Sequence, residues 1–355
     1  MQEFYCPTRI VMGSGAVSAL ERQGYSRLFI VADPFFSKNG WTQRIGKYAR
    51  EYCVFDQISP DPSVDLVARG ASRLREFSAD AVVALGGGSA MDCAKAICCF
   101  SEKPLPLIAI PTTSGSGSEV TVFAILTHNG IKHPLVDPNL RPQLAILEAE
   151  LLEQLPPSLI ADCGFDILAH ALEAWVGKNA TPFTDALALD ACRTVLEQLP
   201  RSFDGDKKVR LEVHIASTMA GLSFNQAGLG ICHALSHTLG GQFHIPHGRL
   251  NAILLPAVIS SNACPKYADL ARHLGLGGSS DAMAIRSLKN TLCRLRTHLK
   301  LPATLVQAGV EWGALQEKTE GIIAAALADP CCQTNPVPVT AEMLRSVLRE
   351  VAGRG

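Results

Sequence analysis

The sequence lacks the features of a membrane-spanning, exported or polyanion-binding protein. Its 355 residues include 32 Lys and Arg against 33 Asp and Glu, so a net charge of -1 offers no broad attraction for nucleic acid or anionic lipid. No uninterrupted apolar run approaches the roughly 20 residues that a membrane-spanning helix needs. Residues 1–9 also lack the basic and then apolar stretches of a signal peptide. We therefore expect a cytoplasmic protein with no nucleic-acid or membrane partner.

The sequence also gives no pattern for a disulfide scaffold, and we do not expect a thiolate metal centre built on paired cysteines. The 12 cysteines are scattered, include no C-x-x-C pair, and belong to a chain far too long for a disulfide-stapled miniprotein. Two adjacent pairs occur, at 98–99 and 331–332, but adjacent cysteines are poorly placed to be two ligands of one tetrahedral site. We interpret the cysteines as reduced thiols that are mostly buried.

The chain does contain enough apolar sequence for a large core, and at this length two domains are expected. Short aliphatic runs in the first 150 residues alternate with amphipathic stretches such as 63–77, as in a mostly parallel sheet with crossover helices. The predicted strands are 28–32, 81–85, 107–110, 121–126 and 144–147. After Pro156 and Pro157, Ala- and Leu-rich helical periodicity takes over. We predict an α/β domain over 1–155 and an all-helical domain over 156–355.

A glycine turn follows the second predicted strand. Residues 81–95 read AVVALGGGSAMDCAK, in which the strand runs into Gly86, Gly87, Gly88 and Ser89 before a segment with helical spacing. Glycines allow a phosphate to approach the backbone closely, and the NH groups at a helix start favour negative charge. This pattern fits the pyrophosphate of a dinucleotide, although the three glycines alone fit a tight turn equally well.

Two further features follow strands of the same domain. The segment PTTSGSGSEVT, residues 111–121, offers hydroxyl groups at Thr112, Thr113 and Ser116 for phosphate or ribose, and otherwise fits a polar surface loop. Asp33 ends the first predicted strand, where a carboxylate could bind the adenosine ribose and repel a 2′-phosphate. That position would favour NAD over NADP, whereas a helix cap is the alternative reading.

Residues 228–251 contain four of the ten histidines. His233 and His237 are four residues apart and would share one face of a helix, while His247 follows a proline at an expected helix start. Upstream, Asp166 and His170 repeat the spacing of four. Three imidazoles and one carboxylate suit Fe²⁺, Zn²⁺, Co²⁺ or Ni²⁺. Each histidine taken alone fits a helix-surface or core residue, but their joint spacing predicts a metal site.

Taken together, these residues resemble the iron-containing (group III) alcohol dehydrogenase family over nearly the whole chain. Residues 86–95 are similar to its GGGSxxDxxK element, 111–121 to its PTTxGxGSEVT loop, and 164–174 to its GxDxxxHAxEA helix. Asn335 and Pro336, after Asp329, are similar to a short motif near the family's end. The narrower resemblance is to 1-propanol or ethanol dehydrogenases that accompany bacterial microcompartments.

The resemblance implies a dinucleotide-binding N-terminal domain, a helical C-terminal domain, and a divalent metal in the cleft between them. It implies Fe²⁺, with Zn²⁺ or another divalent ion as an alternative, and these ligands: Asp166, His170, His233 and His247. His237 matches a proton-transfer histidine, and Lys132 matches a lysine near the nicotinamide ribose. The expected NAD contacts are Asp33, Gly86, Gly87, Gly88, Ser89, Asp92, Thr112, Thr113, Ser116 and Lys132.

The expected activity is reduction of small neutral aldehydes, such as propanal or acetaldehyde, to primary alcohols with NADH, and the reverse. Arg249 is the cation nearest to the histidine cluster in the sequence, so carboxylated or phosphorylated substrates are disfavoured. Polyol dehydrogenases and dehydroquinate-synthase-like lyases of the same fold are alternatives, as is a non-catalytic metal- or nucleotide-binding subunit. We also expect a homo-oligomer of two or more copies, with microcompartment shell proteins or enzymes as candidate partners.

Overall fold

The computed structural model describes residues 3–128 and 131–353, without the side chains of residues 131 and 132. The chain divides into two compact units. The first is Tyr5–Leu155, and the second begins at Pro156 and also includes Phe4. The Phe4 ring stacks on Phe183 of the same unit, with 5.4 Å between ring centroids.

The first unit is built on a parallel sheet. Its strands are β1 (Arg9–Gly13), β2 (Arg27–Ala32), β3 (Glu51–Phe55), β4 (Ala81–Gly86), β5 (Leu107–Pro111), β6 (Phe123–His128), β7 (Ile131–Val136) and β8 (Leu144–Glu148). Its α-helices are α1 (Pro34–Lys38), α2 (Trp41–Gly46), α3 (Val64–Phe77) and α4 (Gly88–Cys99). Six of these strands form a sheet in the order β1-β8-β5-β4-β2-β3, and all of its pairings are parallel.

The predicted strands at 28–32, 81–85, 107–110 and 144–147 are confirmed as β2, β4, β5 and β8. Successive residues of β2 and β4 enter apolar clusters on opposite faces of the sheet, as Phe29 and Ile30 do. A strand buried on both faces has a continuous apolar sequence, which is why these four were recognisable. The predicted strand at 121–126 is β6, which pairs antiparallel with β7 in a separate two-stranded sheet.

Helices joined by loops form the second unit, and no strand occurs among its described residues. Its α-helices are α5 (Pro157–Val176), α6 (Pro182–Phe203), α7 (Arg210–Ala227), α8 (Ile231–Phe243), α9 (His247–Asn262), α10 (Lys266–His273), α11 (Asp281–His298), α12 (Trp312–Ala328), α13 (Cys331–Thr334) and α14 (Ala341–Ala352). The glycine-rich stretch 275–280 connects α10 to α11. Among the described residues, no helix combines the length and the apolar character needed to cross a membrane.

Helix α5 is the central helix of this unit, and most of its residues are buried. Glycines allow its neighbours to come close. A Cβ built on Gly164 of α5 would lie 2.2 Å from Leu199 Cδ2 of α6. A Cβ on Gly248 of α9 would lie 1.8 Å from the backbone oxygen of Asp162 in α5. These contacts fix the positions of the helices that carry the predicted metal ligands.

Candidate metal and nucleotide sites

The predicted metal ligands converge in the second unit. Asp166 lies on α5, His233 on α8 and His247 at the start of α9, and each of the three places one ligand atom within 4.8 Å of the others. The Asp166 Oδ1 atom is 3.5 Å from His247 Nε2, 3.8 Å from His233 Nε2 and 3.9 Å from His170 Nε2. The sequence-predicted set of four is therefore gathered around one carboxylate.

These separations suit ligands of a common ion better than they suit hydrogen bonds. All three exceed the normal length of a hydrogen bond. Two ligands bound at about 2.1 Å with tetrahedral geometry would be about 3.4 Å apart. The His170 ring also stacks on the His233 ring, with 4.5 Å between centroids, and on Phe224 at 4.3 Å.

Buried side chains orient two of the ligands. Glu173, which is 1% exposed, places Oε2 at 2.6 Å from His233 Nδ1 and accepts a hydrogen bond from the Cys232 backbone NH at 2.7 Å. Asn251 donates from Nδ2 to Asp166 Oδ1 at 2.8 Å. A carboxylate on Nδ1 holds the proton of a histidine there and directs the Nε2 lone pair toward a metal.

The charges in the cluster oppose the effect of burial. Burial alone would raise the pKa of Asp166, but the surrounding His170, His247 and His233 hold it well below its ordinary value. Burial would lower the pKa of His233, but the carboxylates of Asp166 and Glu173 raise it to about 9. For His247, burial dominates and lowers the pKa well below its ordinary value.

A divalent metal fits the residues that are present. Within 3–128 and 131–353, His233 Nε2 is a buried polar atom without a hydrogen-bond partner, and it faces Asp166 at a distance too long for a hydrogen bond. An ion would satisfy that atom. The donor set of imidazole nitrogens and a carboxylate oxygen is one that Fe²⁺ and Zn²⁺ accept.

His237 lies beside the metal cluster and has its own carboxylate. Its ring stacks on His247 with 5.3 Å between centroids. Its Nδ1 atom is 2.8 Å from Oδ2 of Asp329, which follows α12. Burial would raise the pKa of Asp329, but the hydrogen bond and charge of His237 lower it to about 2. Asp329 therefore holds one ring nitrogen of His237 and leaves Nε2 for other partners.

Arg249, the cation nearest to the cluster in the sequence, is occupied. Its Nε atom donates to Asp162 Oδ1 at 3.1 Å, and Nη2 donates to Oδ2 at 3.0 Å. This bidentate geometry pairs the guanidinium with a carboxylate and joins α9 to α5. Arg249 thus acts in the packing of the two helices and is not a spare positive charge for a substrate.

The predicted glycine turn connects β4 to α4 in the first unit. Gly86 has a φ of +153°, and a Cβ there would lie 2.6 Å from Ala90 Cβ, so both the backbone and the packing require glycine. Gly87 stands at the start of α4 and gives it no side-chain cap. The first NH groups of α4, those of Gly88 and Ser89, are thus suited to an anion.

The second predicted loop lies against this turn. A Cβ on Gly87 would be 3.1 Å from Thr113 Oγ1, and one on Gly88 would be 3.6 Å from Ser116 Oγ. The backbone NH of Thr112 donates to the Gly86 carbonyl at 3.0 Å. The structure therefore brings the two polar elements, which are about 25 residues apart in the chain, to one place.

Two buried charged residues form hydrogen bonds with the second predicted loop. Lys95 is fully buried and donates to Ser118 Oγ at 2.8 Å, to Thr121 Oγ1 at 3.0 Å and to the Phe123 carbonyl at 2.7 Å. Asp92, which we predicted as a cofactor contact, accepts at both oxygens, from Ser118 Oγ at 3.2 Å and from a backbone NH of β6 at 3.1 Å. Burial lowers the pKa of Lys95 to about 8 and raises that of Asp92 to about 6.

Asp33 lies beside the glycine turn and also caps a helix. Its Oδ1 atom accepts a hydrogen bond from the Phe35 backbone NH at 2.8 Å at the start of α1, which is the alternative that the sequence left open. A Cβ on Gly86 would be 3.1 Å from Asp33 Cβ, so Asp33 borders the turn. The side chain of Lys132, another predicted cofactor contact, lies outside the described part of the chain.

Comparison with known proteins places both halves of the chain in one family. A model of iron-containing alcohol dehydrogenases matches residues 7–149, and a model of the C-terminal region of the Fe-containing alcohol dehydrogenase family matches residues 160–352. The chain belongs to the iron-containing alcohol dehydrogenase family. Members of this family are oxidoreductases, and the resemblance inferred from the sequence motifs is confirmed.

Individual relatives of this family match over almost the full chain. The 1-propanol dehydrogenase PduQ of Salmonella typhimurium is 39% identical over 99% of this chain and 100% of its own. The NADPH-dependent butanol dehydrogenase of Clostridium saccharobutylicum is 34% identical over 98% of this chain and 97% of its own. The solved iron-containing alcohol dehydrogenase of Thermococcus thioreducens has a TM-score of 0.91, at 33% identity over 98% of this chain and 99% of its own.

Some positions that shape these sites in this alcohol dehydrogenase family member were not predicted as site residues. Glu173, Asn251 and Asp329 contact predicted site residues, and Lys95 contacts the loop of residues 111–121. Glu173 and Lys95 could have been found, since each belongs to a motif that the sequence analysis quoted. Asn251 carried no comparable signal. Asp329 was noted only as preceding a terminal motif, and its pairing with a histidine 92 residues away is a property of the fold.

Proposed function

We propose that this protein interconverts small neutral aldehydes, such as propanal or acetaldehyde, and their primary alcohols with NADH and NAD, in a reaction that depends on a divalent metal. The convergence of three histidine Nε2 atoms on Asp166 Oδ1 carries the proposal. We assign the metal to the second unit and the dinucleotide to the first. Fe²⁺ is the proposed ion, and Zn²⁺ is the alternative.

The metal would be held by Asp166, His170, His233 and His247. When bound, a divalent ion supplies Lewis-acid polarisation of the aldehyde oxygen, and NADH supplies the hydride. The four side chains form the ligand set, and Glu173 keeps His233 in the tautomer that binds.

We assign proton transfer to His237. Its Nδ1 atom is paired with Asp329, so Nε2 is the atom that gives a proton to the forming alcohol and takes one in the reverse direction. An imidazole exchanges protons readily at neutral pH, which suits a reversible reaction. Asp329 holds the ring in one orientation.

The glycine turn is proposed to bind the pyrophosphate of the dinucleotide. The uncapped start of α4 offers NH groups, and Thr113 and Ser116 place hydroxyl groups next to the turn. Asp33 borders the same turn and would repel the 2′-phosphate of NADP. We therefore propose NAD as the preferred cofactor, even though one relative is named as NADPH-dependent.

A neutral substrate is favoured by the state of Arg249. Because its Nε and Nη2 atoms form a bidentate pair with the Asp162 carboxylate, its positive charge is already compensated and attracts a carboxylate or phosphate less strongly. Phe224 lies against His170 and contributes apolar surface next to the ligand set. The named activity of the Salmonella typhimurium relative, a 1-propanol dehydrogenase, supports a short-chain alcohol as the substrate.

Metal removal tests the proposal directly. We expect aldehyde-dependent oxidation of NADH to be lost after chelation and regained with Fe²⁺ or Zn²⁺. His247→Ala should abolish metal retention, whereas His237→Ala should retain the metal and slow turnover. Activity that is indifferent to chelation would overturn the mechanism. Bound metal without turnover on a panel of short-chain aldehydes would favour a non-catalytic subunit.

The location and assembly of the protein are also proposals. The resemblance to microcompartment-associated dehydrogenases supports a cytoplasmic protein packaged in such a compartment and assembled as a homo-oligomer. Light scattering of the purified protein would give the number of copies. Fractionation of native compartments would show whether the protein is retained with the shell, and its recovery only in the free fraction would contradict the packaging.

A further inference from the structure

A second group of metal-binding side chains lies next to the proposed catalytic metal. His237 on α8, Asp329 after α12 and Cys331 at the start of α13 each place one ligand atom within 4.8 Å of the others. His237 Nδ1 and Asp329 Oδ2 are 2.8 Å apart. The side chains of His237 and Asp329 are 31% and 16% exposed, so an ion from solution can reach the group.

Backbone hydrogen bonds hold this group in place. Asp329 Oδ1 accepts from the Cys331 backbone NH at 2.8 Å, which fixes the turn between α12 and α13. The Thr334 hydroxyl at the end of α13 donates to the Leu229 carbonyl at 2.6 Å, just before α8 begins. The short helix that carries Cys331 is thus tied to the start of the helix that carries His237.

The donor set differs from that of the first site. One imidazole nitrogen, one carboxylate oxygen and one sulfur suit a thiophilic ion such as Zn²⁺ or Cd²⁺ better than Fe²⁺. Burial and the neighbouring Asp329 raise the pKa of the Cys331 thiol well above its ordinary value. Without an ion, Cys331 is therefore a neutral thiol, and it becomes a ligand only by releasing its proton.

We propose that His237, Asp329 and Cys331 form a second, inhibitory site for Zn²⁺ and similar thiophilic divalent cations. Binding releases the thiol proton to solvent, and the ring proton of His237 moves through water from Nδ1 to Nε2, so that neutral imidazole, thiolate and carboxylate hold the ion with water as a further ligand. The inhibition rests on the proposed proton-transfer role of His237, because a cation on Nδ1 replaces its pairing with Asp329. The binding itself does not depend on that role.

The adjustment that binding requires is small. Ligands at about 2.1 Å with tetrahedral angles are about 3.4 Å apart, so the His237 and Asp329 atoms must separate by roughly half an ångström. Asp329 stands between two helices, and its side chain can make this movement by rotation. The movement of this pair is therefore small, and the ligand atom of Cys331 lies within 4.8 Å of both.

Cadmium titration of the iron-loaded enzyme tests the site. We expect one Cd²⁺ per chain in addition to the retained iron, with the ultraviolet absorption of a cadmium–thiolate bond. Cys331→Ser should retain its iron but lose the second equivalent and the absorption. The matched control is Cys332→Ser, which removes the adjacent thiol whose Sγ donates to the Ala326 carbonyl at 3.0 Å, and which should still bind both ions.

The outcomes separate the two sites. Cadmium that replaces iron one for one, or that still binds to Cys331→Ser with thiolate absorption, would overturn the second site. If the protein retains no iron, the cadmium–thiolate absorption still reports on Cys331, so failure of the first site is distinguishable. Cadmium that binds as expected without slowing turnover would overturn the inhibitory effect of the site and the proton-transfer role of His237. If the proposal holds, Zn²⁺ should bind at the same site and slow turnover as cadmium does.

Discussion

Replacing Glu173 by Gln should weaken metal binding without removing any ligand. Glu173 is buried beside His233, and its two oxygens face the His233 ring and the Cys232 backbone NH. An amide keeps the size of the side chain and can still accept from Cys232. It then presents NH₂ to His233 Nδ1, which forces the proton of the ring onto Nε2, where the metal must bind.

The expected loss follows from the kind of contact that is broken. A hydrogen bond to a buried charged group contributes about 1.5–3 kcal/mol. Changes to residues that orient metal ligands typically cost about 10- to 100-fold in metal affinity, or roughly 1.4–2.7 kcal/mol. The two ranges agree, and the 1% exposure of Glu173 leaves little room for water to replace the lost interaction.

Competition with a chromophoric chelator measures this loss at equilibrium. Glu173→Gln should bind Zn²⁺ or Co²⁺ about 10- to 100-fold more weakly than the unchanged protein. Glu212→Gln, the same chemical change at an exposed position of α7, should bind normally. A Glu173→Gln affinity within twofold of the control would refute the idea that this carboxylate sets the tautomer of His233.

The remaining predictions concern the packing of helix α9 on α5 and the loop of residues 111–121. Gly248→Ala should destabilise the protein by about 1–3 kcal/mol and weaken metal retention, because the new Cβ would clash with the Asp162 backbone. Gly241→Ala is the control, since a Cβ there has open space around it, and it should be neutral or slightly stabilising. Thermal unfolding compares the two variants. Lys95→Met should raise the dissociation constant for NADH about tenfold, because it removes three hydrogen bonds that support the loop of residues 111–121. The same change at exposed Lys103 should leave this constant unchanged. Fluorescence titration with NADH compares the two variants, and equal affinities would contradict the supporting role of Lys95.

Cofactor choice gives a further prediction. Asp33→Gly should relax the preference for NAD over NADP, since the carboxylate that borders Gly86 would no longer repel a 2′-phosphate. The ratio of kcat/KM for NADH and NADPH measures this preference. An unchanged ratio would leave Asp33 only its role as the cap of α1.

Local patterns were sufficient to predict the buried strands and to identify the side chains that the structure gathers around Asp166. Strands β2, β4, β5 and β8 are apolar on both faces, and the sequence predicted them. The edge strands β1 and β3 contain exposed positions that interrupt the apolar run, and the sequence did not predict them. Ligands on one helix follow its periodicity, as Asp166 and His170 do on α5. The joint spacing indicated a metal site, whereas the assignment of four ligands from separate helices to one ion came from the resemblance to a family, because spacing alone does not specify how helices pack.

Contacts between distant parts of the chain were beyond local patterns. Glu173 meets His233 across 60 residues, and Asp329 meets His237 across 92. A carboxylate in a helix has many other uses, such as pairing with a basic residue one turn away, so its composition and spacing give no hint of a distant imidazole. The antiparallel hairpin of β6 and β7 was missed for a related reason, since a single strand pattern does not reveal which strand it pairs with.

One carboxylate links the folding of α8 to the binding of the metal. Glu173 accepts from the NH of Cys232 in the first turn of α8 and also fixes the ring of His233, the next residue. The same group therefore satisfies an otherwise unpaired helix-start NH and sets the tautomer of a ligand. An ion that binds His233 only when its ring proton is on Nδ1 also stabilises the Glu173 contact that holds the first turn of α8. The amides of that turn should therefore exchange hydrogen more slowly in the metal-bound protein than in the metal-free protein.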